Sequence, residues 1–379
     1  MIKIKNKSEC CGCYACYNVC PNDAISMEED EKGFCYPVID EKKCINCNLC
    51  EKVCPIINNV TEKKKLEAYA CINKENNIRL KSSSGGIFTL IAEEILDLEG
   101  VVFGAAFNKN FDVEHICITN KKELEKLRGS KYVQSNIGET FKQAKVFLEQ
   151  DRYVLFTGTP CQVEALKSYL RKDYEKLFTQ DFICHGVPSK KVWQKYLEFA
   201  SNKNKIIKKI NFRNKKNGWK KFSLNIEYDK ATYNKNHIKD LYMRAFLQNL
   251  SLRDSCFDCQ FKKYYRNSDI TLADFWGVSK LNPKISDDKG TSLVIINSIK
   301  GKDLFDKIKD KCLIEKVDLD KAIKYNKSFI TSVQYNINRD KFFDDLEIES
   351  NFKKLINKYT YRPTFIRKVL KKIKSKVKR

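Results

Sequence analysis

Short apolar runs alternate with amphipathic segments through the middle of this 379-residue chain. Residues 68–72, 101–107 and 153–156 have the apolar and aromatic composition of buried strands. Apolar residues recur at helical spacing over residues 87–98 and 163–170, so amphipathic helices are expected there. This alternation predicts a mixed or parallel sheet with helices packed on it, in an α/β or α+β fold.

The same reasoning extends the prediction along the chain. Further strands are expected at residues 113–119, 177–183, 206–212, 222–228, 270–277 and 293–297. Further helices are expected at residues 121–128, 137–149, 189–200 and 241–250. After residue 297 we expect only helices and a basic tail.

Two runs of four cysteines precede this region, and each ends immediately before a proline. The first run comprises Cys10, Cys13, Cys16 and Cys20, and the second comprises Cys44, Cys47, Cys50 and Cys54. Both have the Cys-x2-Cys-x2-Cys-x3-Cys-Pro spacing of two-cluster bacterial ferredoxins, in which the fourth cysteine of each run binds the other cluster. We therefore expect one 4Fe–4S cluster on Cys10, Cys13, Cys16 and Cys54, and a second on Cys44, Cys47, Cys50 and Cys20. Paired zinc sites rarely need this spacing with a proline after both runs.

Composition and length agree with an intracellular redox protein of two or three domains. No stretch approaches the roughly 20 apolar residues that span a bilayer, and the N-terminus lacks the apolar region of a signal peptide. With 17 cysteines and no export signal, the chain is expected in a reducing cytoplasm, where abundant cysteine indicates metal or redox chemistry rather than disulfides.

Of the formal net charge of +24, residues 367–379 contribute eight Lys or Arg and no acid, which leaves about +16 for the rest of the chain. Residues 364–379 have apolar side chains at near-helical spacing, and Lys or Arg fills most other positions. This pattern predicts a basic amphipathic helix of the kind that lies on an anionic membrane surface. A solvated end, or a helix docked on the main domain, fits the same pattern.

A Ser/Gly loop at residues 82–86 separates the first predicted middle strand from its helix. Free N–H groups and the positive end of a helix dipole suit a phosphate at such a place. Serine is also a common helix N-cap, so a purely structural role explains the loop equally well.

Four later cysteines form a second constellation: Cys161, Cys184, Cys256 and Cys259. The first two lie where successive strands meet helices, which is the sheet edge where α/β folds bind ligands. The last two form a Cys-x2-Cys pair. A third 4Fe–4S cluster, a redox-active pair, a zinc site and unconnected thiols are all compatible with this spacing.

Several short motifs occur in a fixed order and together resemble one known family. They are Ser83-Ser84-Gly85-Gly86, Gly129-Ser130-Lys131-Tyr132, Gly158-Thr159-Pro160-Cys161-Gln162, Cys184-His185-Gly186, Cys256-x2-Cys259 and Ala273-Asp274-Phe275-Trp276-Gly277. The family is that of the coenzyme F-420 hydrogenase/dehydrogenase beta subunits, and the likeness covers residues 69–304. Ala273 departs from the pattern, since many relatives are expected to have glycine there.

The resemblance implies a flavoprotein with FAD and a 4Fe–4S cluster in its main domain. By position, Cys161, Cys184, Cys256 and Cys259 match the cluster ligands. The residues that match the flavin-binding motifs are Ser83, Ser84, Gly85, Gly86, Ser130 and Lys131. The expected domains are a ferredoxin domain (1–60), the N-terminal (61–175) and C-terminal (176–345) parts of the beta-subunit-like domain, and the tail (346–379).

The expected function is that of an iron–sulfur flavoprotein oxidoreductase, which passes electrons between ferredoxin-type clusters and a flavin that acts on an organic substrate or a deazaflavin. The alternative is an electron-transfer subunit of a larger complex without its own substrate site. The expected partner is a redox protein or a small-molecule donor. A nucleic-acid-binding protein is disfavoured because no such motif is present. No catalytic residue, substrate or oligomeric state is implied. The expected location is the cytoplasm, at the inner face of the membrane if the tail binds lipid.

Removal of the tail tests that last expectation. We predict that the full chain pellets with anionic liposomes at low salt and that a chain ending at Pro363 does not, because each basic residue near such a surface contributes about 1 kcal/mol. High salt should release the full chain. Equal pelleting of the two proteins would exclude the tail from membrane binding.

Overall fold

The computed structural model describes residues 1–58, 62–201 and 205–361. The predicted amphipathic tail, residues 364–379, lies outside them and stays a prediction. The described residues form thirteen strands: β1 (Ile25–Glu29), β2 (Cys35–Ile39), β3 (Glu67–Asn73), β4 (Val101–Phe107), β5 (Val113–Ile118), β6 (Val154–Thr157), β7 (Leu177–Phe182), β8 (Ile207–Asn214), β9 (Ser223–Tyr228), β10 (Thr232–Asn236), β11 (Ile270–Asp274), β12 (Ser292–Ile296) and β13 (Cys312–Val317).

The α-helices of the same residues are distributed along the whole described chain. They are α1 (Ala15–Val19), α2 (Leu49–Lys52), α3 (Asn76–Lys81), α4 (Ile87–Asp97), α5 (Leu124–Leu127), α6 (Thr140–Glu149), α7 (Pro160–Leu170), α8 (Lys190–Ser201), α9 (Leu241–Leu247), α10 (Val278–Leu281), α11 (Ile299–Ile308), α12 (Leu319–Ile323), α13 (Arg339–Ile348) and α14 (Phe352–Tyr359).

A mixed eight-stranded sheet forms the centre of the protein, in the order β13-β3-β12-β11-β7-β6-β4-β5. Its four middle strands, β11, β7, β6 and β4, are parallel, and the strands at both edges are antiparallel. The parallel strands are flanked by helices on both faces, which explains their nearly continuous apolar sequences. Strands from both sides of residue 175 contribute to this one sheet.

The two faces of the sheet carry different helices. On one face α4 and α11 pack together and bury Leu90, Ile91 and Phe305 against strand side chains. On the other face α6 and α7 bury Phe141 and Leu166. The mixed α/β architecture predicted from the alternation of apolar runs is confirmed.

The N-terminal residues form a small unit that packs on the α6–α7 face. Its hairpin pairs β1 with β2, from Ile25 opposite Ile39 to Glu29 opposite Cys35. Helix α1 contacts both α6 and α7, and Ala15 and Val53 belong to the same apolar core as those helices. The cysteine-rich segment is therefore in direct contact with the sheet domain.

A second, three-stranded antiparallel sheet, β10-β9-β8, packs with α8, α9, α13 and α14. Its core is aromatic: the ring of Trp193 lies 5.0 Å from that of Phe212 and 4.8 Å from that of Tyr242. This subregion fixes α9, which leads into the segment that carries Cys256 and Cys259.

Two predicted helix boundaries differ from the sequence-based expectation, and four strands were not expected. The helix predicted at 137–149 begins at Thr140, because the Asn136 side chain accepts the Gly138 N–H and holds the preceding turn. The helix predicted at 241–250 ends at Leu247, before Asn249 adopts a left-handed φ of 60°.

Strands β1, β2, β10 and β13 were not predicted. Strand β13 is an edge strand with one buried residue, Cys312, so its apolar signal is weak. It contradicts the expectation of only helices after residue 297. In the described residues, no helix is long and apolar enough to cross a membrane.

A substitution at Asp240 tests how strongly the stability of the second subregion depends on one buried hydrogen-bond acceptor. Its carboxylate caps α9 by accepting the Met243 N–H and also accepts the hydroxyls of Tyr196 and Tyr233. Asp240→Ala should lower the free energy of unfolding by about 2–4 kcal/mol, since a cap is lost and two phenols lose their acceptor. The control Asp318→Ala removes an exposed cap that accepts the Lys321 N–H and lies 3.9 Å from Lys321 Nζ, and it should cost about 1 kcal/mol. Equal losses in urea denaturation would contradict this account.

Candidate functional site

The structure brings together the four cysteines predicted to share the first cluster, which we call the first cysteine group (Cys10, Cys13, Cys16, Cys54). Burial raises the pKa of Cys16, and the nearby Cys13, Cys10 and Cys54 act in the same direction. Cys54 therefore approaches the cysteines of the other run, as the crossed pattern requires. Burial also raises the pKa of Cys54, to about 11.

The second cysteine group (Cys20, Cys44, Cys47, Cys50) lines one pocket near the surface, whose apolar wall includes Ile25 and Ile39. Backbone N–H groups point at two of its sulfurs: Ala24 N lies 3.2 Å from Cys20 Sγ, and Ile2 N lies 3.3 Å from Cys50 Sγ. Hydrogen bonds of this kind tune the reduction potential of an iron–sulfur centre.

The third cysteine group (Cys161, Cys184, Cys256, Cys259) converges at the ends of two parallel strands. Helix α7 follows β6 with Pro160 at its first position, and the Thr159 N–H donates to the Gln162 side chain at 2.9 Å. Cys161 consequently lies in the first helical turn, as predicted. Cys184 follows β7, and its pKa is raised by burial and by Cys256, Cys161 and Cys259.

These donor sets fit 4Fe–4S clusters. Each group supplies four thiols, and burial raises the pKa of Cys256 to about 12, so its thiolate needs a compensating positive charge. Within residues 1–58, 62–201 and 205–361, no three His, Cys, Asp or Glu side chains converge closely enough to hold one metal ion. A mononuclear site requires such convergence, whereas the ligands of a cluster bind different irons.

Cys11 lies between the first and third cysteine groups. Its side chain is buried in the same cluster as Cys13, and Cys161 packs against that cluster. The nearby Cys11 lowers the pKa of Cys161. The two groups are thus separated by a single side chain, although Cys11 falls outside the spacing of the motif.

The serine–glycine loop (residues 82–86) is closely packed against the same edge of the sheet, because its partner Ser292 lies opposite Asp274 at the carboxyl end of β11, which is parallel to β7. The Gly85 N–H donates to Ser292 Oγ at 3.0 Å, and a Cβ at Gly85 would lie 2.4 Å from the Cys71 carbonyl oxygen. Ser84 Oγ donates to the Thr291 carbonyl. Glycine is required here because backbone approaches backbone.

The structure also brings the two predicted flavin motifs into contact. Ser130 donates to Ser83 Oγ from both its backbone N–H, at 2.7 Å, and its hydroxyl, at 2.9 Å. Lys131 Nζ donates to the carbonyl of Gly129, and burial lowers its pKa to about 7.

Two further cations that the sequence did not reveal lie at the same loop. Arg213 pairs with Asp274 at 2.7 Å and donates to the Ser83 carbonyl, while its Nε is buried without a partner. Lys215 Nζ donates to the carbonyl of Ser84 at 2.9 Å, and burial lowers its pKa to about 7. The loop is therefore surrounded by positive groups, an arrangement that fits an anion such as a phosphate.

The connecting loop (residues 129–135) links these two regions. Ser130 contacts the serine–glycine loop, and the Gln134 side chain accepts from Arg253 Nη1 at 3.2 Å beside Cys10 and Cys11. Four residues of extended chain span at most about 14 Å. The candidate anion site and the first cysteine group are hence close neighbours.

Sequence reasoning missed Arg213, Lys215 and Arg253. Each acts through contacts with residues distant in the chain, so local spacing carries no signal for them. The sequence alone is compatible with His185 as a structural residue, an acid or a ligand. Its Nε2 lies 2.8 Å from Asn249 Oδ1, a structural contact, and burial lowers its pKa.

Three family models match the chain. For the coenzyme F420 hydrogenase/dehydrogenase beta subunit, the model of the N-terminal part matches residues 68–142 and the model of the C-terminal part matches residues 151–322. A 4Fe–4S dicluster domain matches residues 9–57. The beta-subunit models include the serine–glycine loop and the third cysteine group, and the dicluster model includes the first and second groups.

Curated relatives share low identity over parts of their length. One subunit of the F(420)H(2) dehydrogenase of Methanosarcina mazei is 24% identical over 182 residues, 44% of this chain and 50% of the relative. The coenzyme F420-dependent sulfite reductase of Methanocaldococcus jannaschii is 24% identical over 195 residues, 50% of this chain and 29% of the relative. An uncharacterized ferredoxin of the latter organism is 38% identical over 68 residues, 17% of this chain and 87% of the ferredoxin. The chain therefore spans half or less of the first two relatives.

Among solved structures, a chain of the F420-reducing NiFe hydrogenase complex from Methanosarcina barkeri aligns with a TM-score of 0.48 and 18% identity. The alignment covers 75% of this chain and 93% of that chain. A score of this size does not establish a common fold.

The third cysteine group leads to a prediction of iron content. Anaerobically reconstituted protein should hold about 12 irons per chain, and Cys256→Ser with Cys259→Ser should remove about 4 of them. The control Cys312→Ser alters a buried cysteine of β13 outside all three groups and should leave the iron unchanged. Full iron in the double variant would contradict a third cluster.

Proposed function

The chain belongs to the family of coenzyme F420 hydrogenase/dehydrogenase beta subunits, with an N-terminal 4Fe–4S dicluster domain, and on that premise we propose that it is an iron–sulfur flavoprotein oxidoreductase. Its substrate in this proposal is an organic molecule or a deazaflavin. The proposed ligands are the first, second and third cysteine groups, and the proposed flavin contacts are Ser83, Ser84, Gly85, Gly86, Ser130 and Lys131.

One observation carries the proposal: an uninterrupted series of contacts joins all the candidate sites except the second group. Cys11 lies in the same buried cluster as Cys13 of the first group, and Cys161 of the third group packs against that cluster. From the same place, the connecting loop runs from Gln134 to Ser130 at the serine–glycine loop. Short separations of this kind are what electron transfer between fixed centres requires.

The chain's own residues would bind, orient and tune these centres. When bound, the clusters supply one-electron transfer, and the flavin supplies the exchange between one-electron and two-electron chemistry. The Val187 N–H, 3.4 Å from Cys256 Sγ, stabilises the thiolate, as do the N–H groups at Cys20 and Cys50. The half-buried position of the third group limits access of water.

The electrostatics at the serine–glycine loop support a flavin phosphate there. Lys131, Lys215, Arg79 and Arg213 lie at or beside the loop, whereas Asp274 and Asp287 are already paired with the two arginines. The two lysines leave an excess of positive charge that an anionic phosphate would neutralise.

A second candidate function is an electron-transfer subunit without its own substrate site. It is favoured by the similarity to a protein whose name identifies it as one subunit of a dehydrogenase. The partner in either case is proposed to be a redox protein or a small-molecule donor. A stoichiometric flavin that an external donor reduces in the isolated chain would support the oxidoreductase, and a flavin-free chain would support the electron-transfer role.

Lys215 tests the flavin site. Lys215→Met should weaken FAD binding about tenfold at pH 6, because a cation beside the phosphate is lost. At pH 8.5 the difference in FAD affinity between the parent protein and the variant should be smaller, since Lys215 of the parent, with a pKa of about 7, is then mostly uncharged. The measurement is fluorescence titration of the flavin-depleted chain at both pH values.

The matched control is Lys216→Met, which removes an adjacent but exposed lysine and should leave the affinity unchanged. Equal affinities for the parent and Lys215→Met at pH 6 would exclude a phosphate at this loop.

A further inference from the structure

Arg253 is a fully buried cation at the junction of the N-terminal unit and the sheet domain. Its guanidinium donates to the carbonyl of Cys10 at 2.8 Å, the carbonyl of Cys35 at 3.0 Å and Gln134 Oε1 at 3.2 Å. The guanidinium carbon also lies 4.2 Å from the centre of the Tyr36 ring. All of these partners are uncharged.

Several other buried arginines of this protein are neutralised by aspartates. Arg213, Arg266 and Arg339 each form an ion pair with an aspartate, at 2.7, 3.0 and 2.7 Å. In the part of the chain that the structure describes, no carboxylate forms an ion pair with Arg253, and the adjacent Asp254 pairs with Arg339. A buried charge without a counter-charge is costly, so Arg253 requires negative charge from another source.

Cysteine sulfurs of two different groups are the available source. The Arg253 side chain donates to the Cys10 carbonyl, and the Arg253 carbonyl accepts the Cys256 N–H at 3.0 Å. The positive charge of Arg253 favours the thiolates of Cys10, Cys256 and Cys161. Arg253 thus stands between the two groups.

We propose that Arg253 is a positioning residue that raises the reduction potentials of the clusters on the first and third cysteine groups together. The inference rests on the proposed function, in which both groups hold 4Fe–4S clusters. Each reduction adds one electron and no proton, so it adds one negative charge beside the fixed guanidinium. Net charge near a cluster is one of the factors that set its potential.

Lys262 provides an internal comparison because its contacts are with the third group. Its Nζ donates to the His185 carbonyl at 3.0 Å, and it interacts electrostatically with Cys184, Cys259 and Cys256. Removal of its charge should affect one cluster, whereas removal of the Arg253 charge should affect two.

The experiment is a potentiometric titration of the anaerobically purified full chain with dithionite, followed by electron paramagnetic resonance. Arg253→Gln keeps hydrogen-bond donors without the charge. It should lower the equilibrium constant for one-electron reduction of both clusters at least tenfold, which corresponds to a reduction potential lower by about 59 mV. Arg253→Lys keeps the charge and should change it less than threefold. Lys262→Met should shift the third cluster only, and the second cluster should not move in any variant.

Gln134→Glu is a second variant for the case that Arg253→Gln does not retain iron. It places a carboxylate next to Arg253 Nη1 without removing the guanidinium, and should lower the same two potentials. Unchanged potentials in an iron-replete Arg253→Gln or Gln134→Glu protein would overturn the proposal, as would a shift in Arg253→Lys with none in Arg253→Gln. About eight irons per chain in the parent would instead contradict the proposed function on which the inference rests.

Discussion

The candidate sites depend on one constraint: negative charge must be compensated at the junction between the N-terminal unit and the sheet domain. Each 4Fe–4S cluster with four thiolates brings net negative charge into a buried region from which water is excluded. Arg253 is buried there and forms hydrogen bonds with Cys10, Cys35 and Gln134. Two unit charges about 8 Å apart interact by about 2 kcal/mol at an effective dielectric constant near 20. One arginine therefore affects both the docking of the two units and the chemistry between them.

The sheet topology explains why the third cysteine group forms at this junction. Strands β6 and β7 are adjacent and parallel, so their carboxyl ends meet at one edge. Cys161 and Cys184 follow those two ends, and α9 leads the chain back to the same edge with Cys256 and Cys259. The N-terminal unit packs on α7, whose first turn holds Cys161. Cys11 consequently lies close to both groups.

Features encoded by local spacing could be predicted from the sequence, and features created by tertiary contact could not. The cysteine runs, the Pro160 helix start and the alternation of strands and helices depend on residues close together in the chain. The edge strand β13 has too few buried residues for a clear pattern. Arg213 and Lys215 reach the serine–glycine loop from more than a hundred residues away. The proposed ligand and flavin-contact roles of the predicted site residues remain predictions, although the structure brings those residues together.

The connecting loop gives the proposed electron path a fixed length. Every second residue from 130 to 134 anchors this loop. Ser130 forms a hydrogen bond with Ser83, and Gln134 forms one with Arg253. The ring of Tyr132 stacks on that of Phe246, with the ring centres 4.8 Å apart. Because its anchors belong to separate elements, the loop cannot shift at one end without breaking contacts at the other. The distance between the candidate flavin site and the cysteine groups is thus set by packing. In the proposed function, transfer between these centres would need no domain movement, and the reduction potentials would be the main variable left for residues such as Arg253 to adjust.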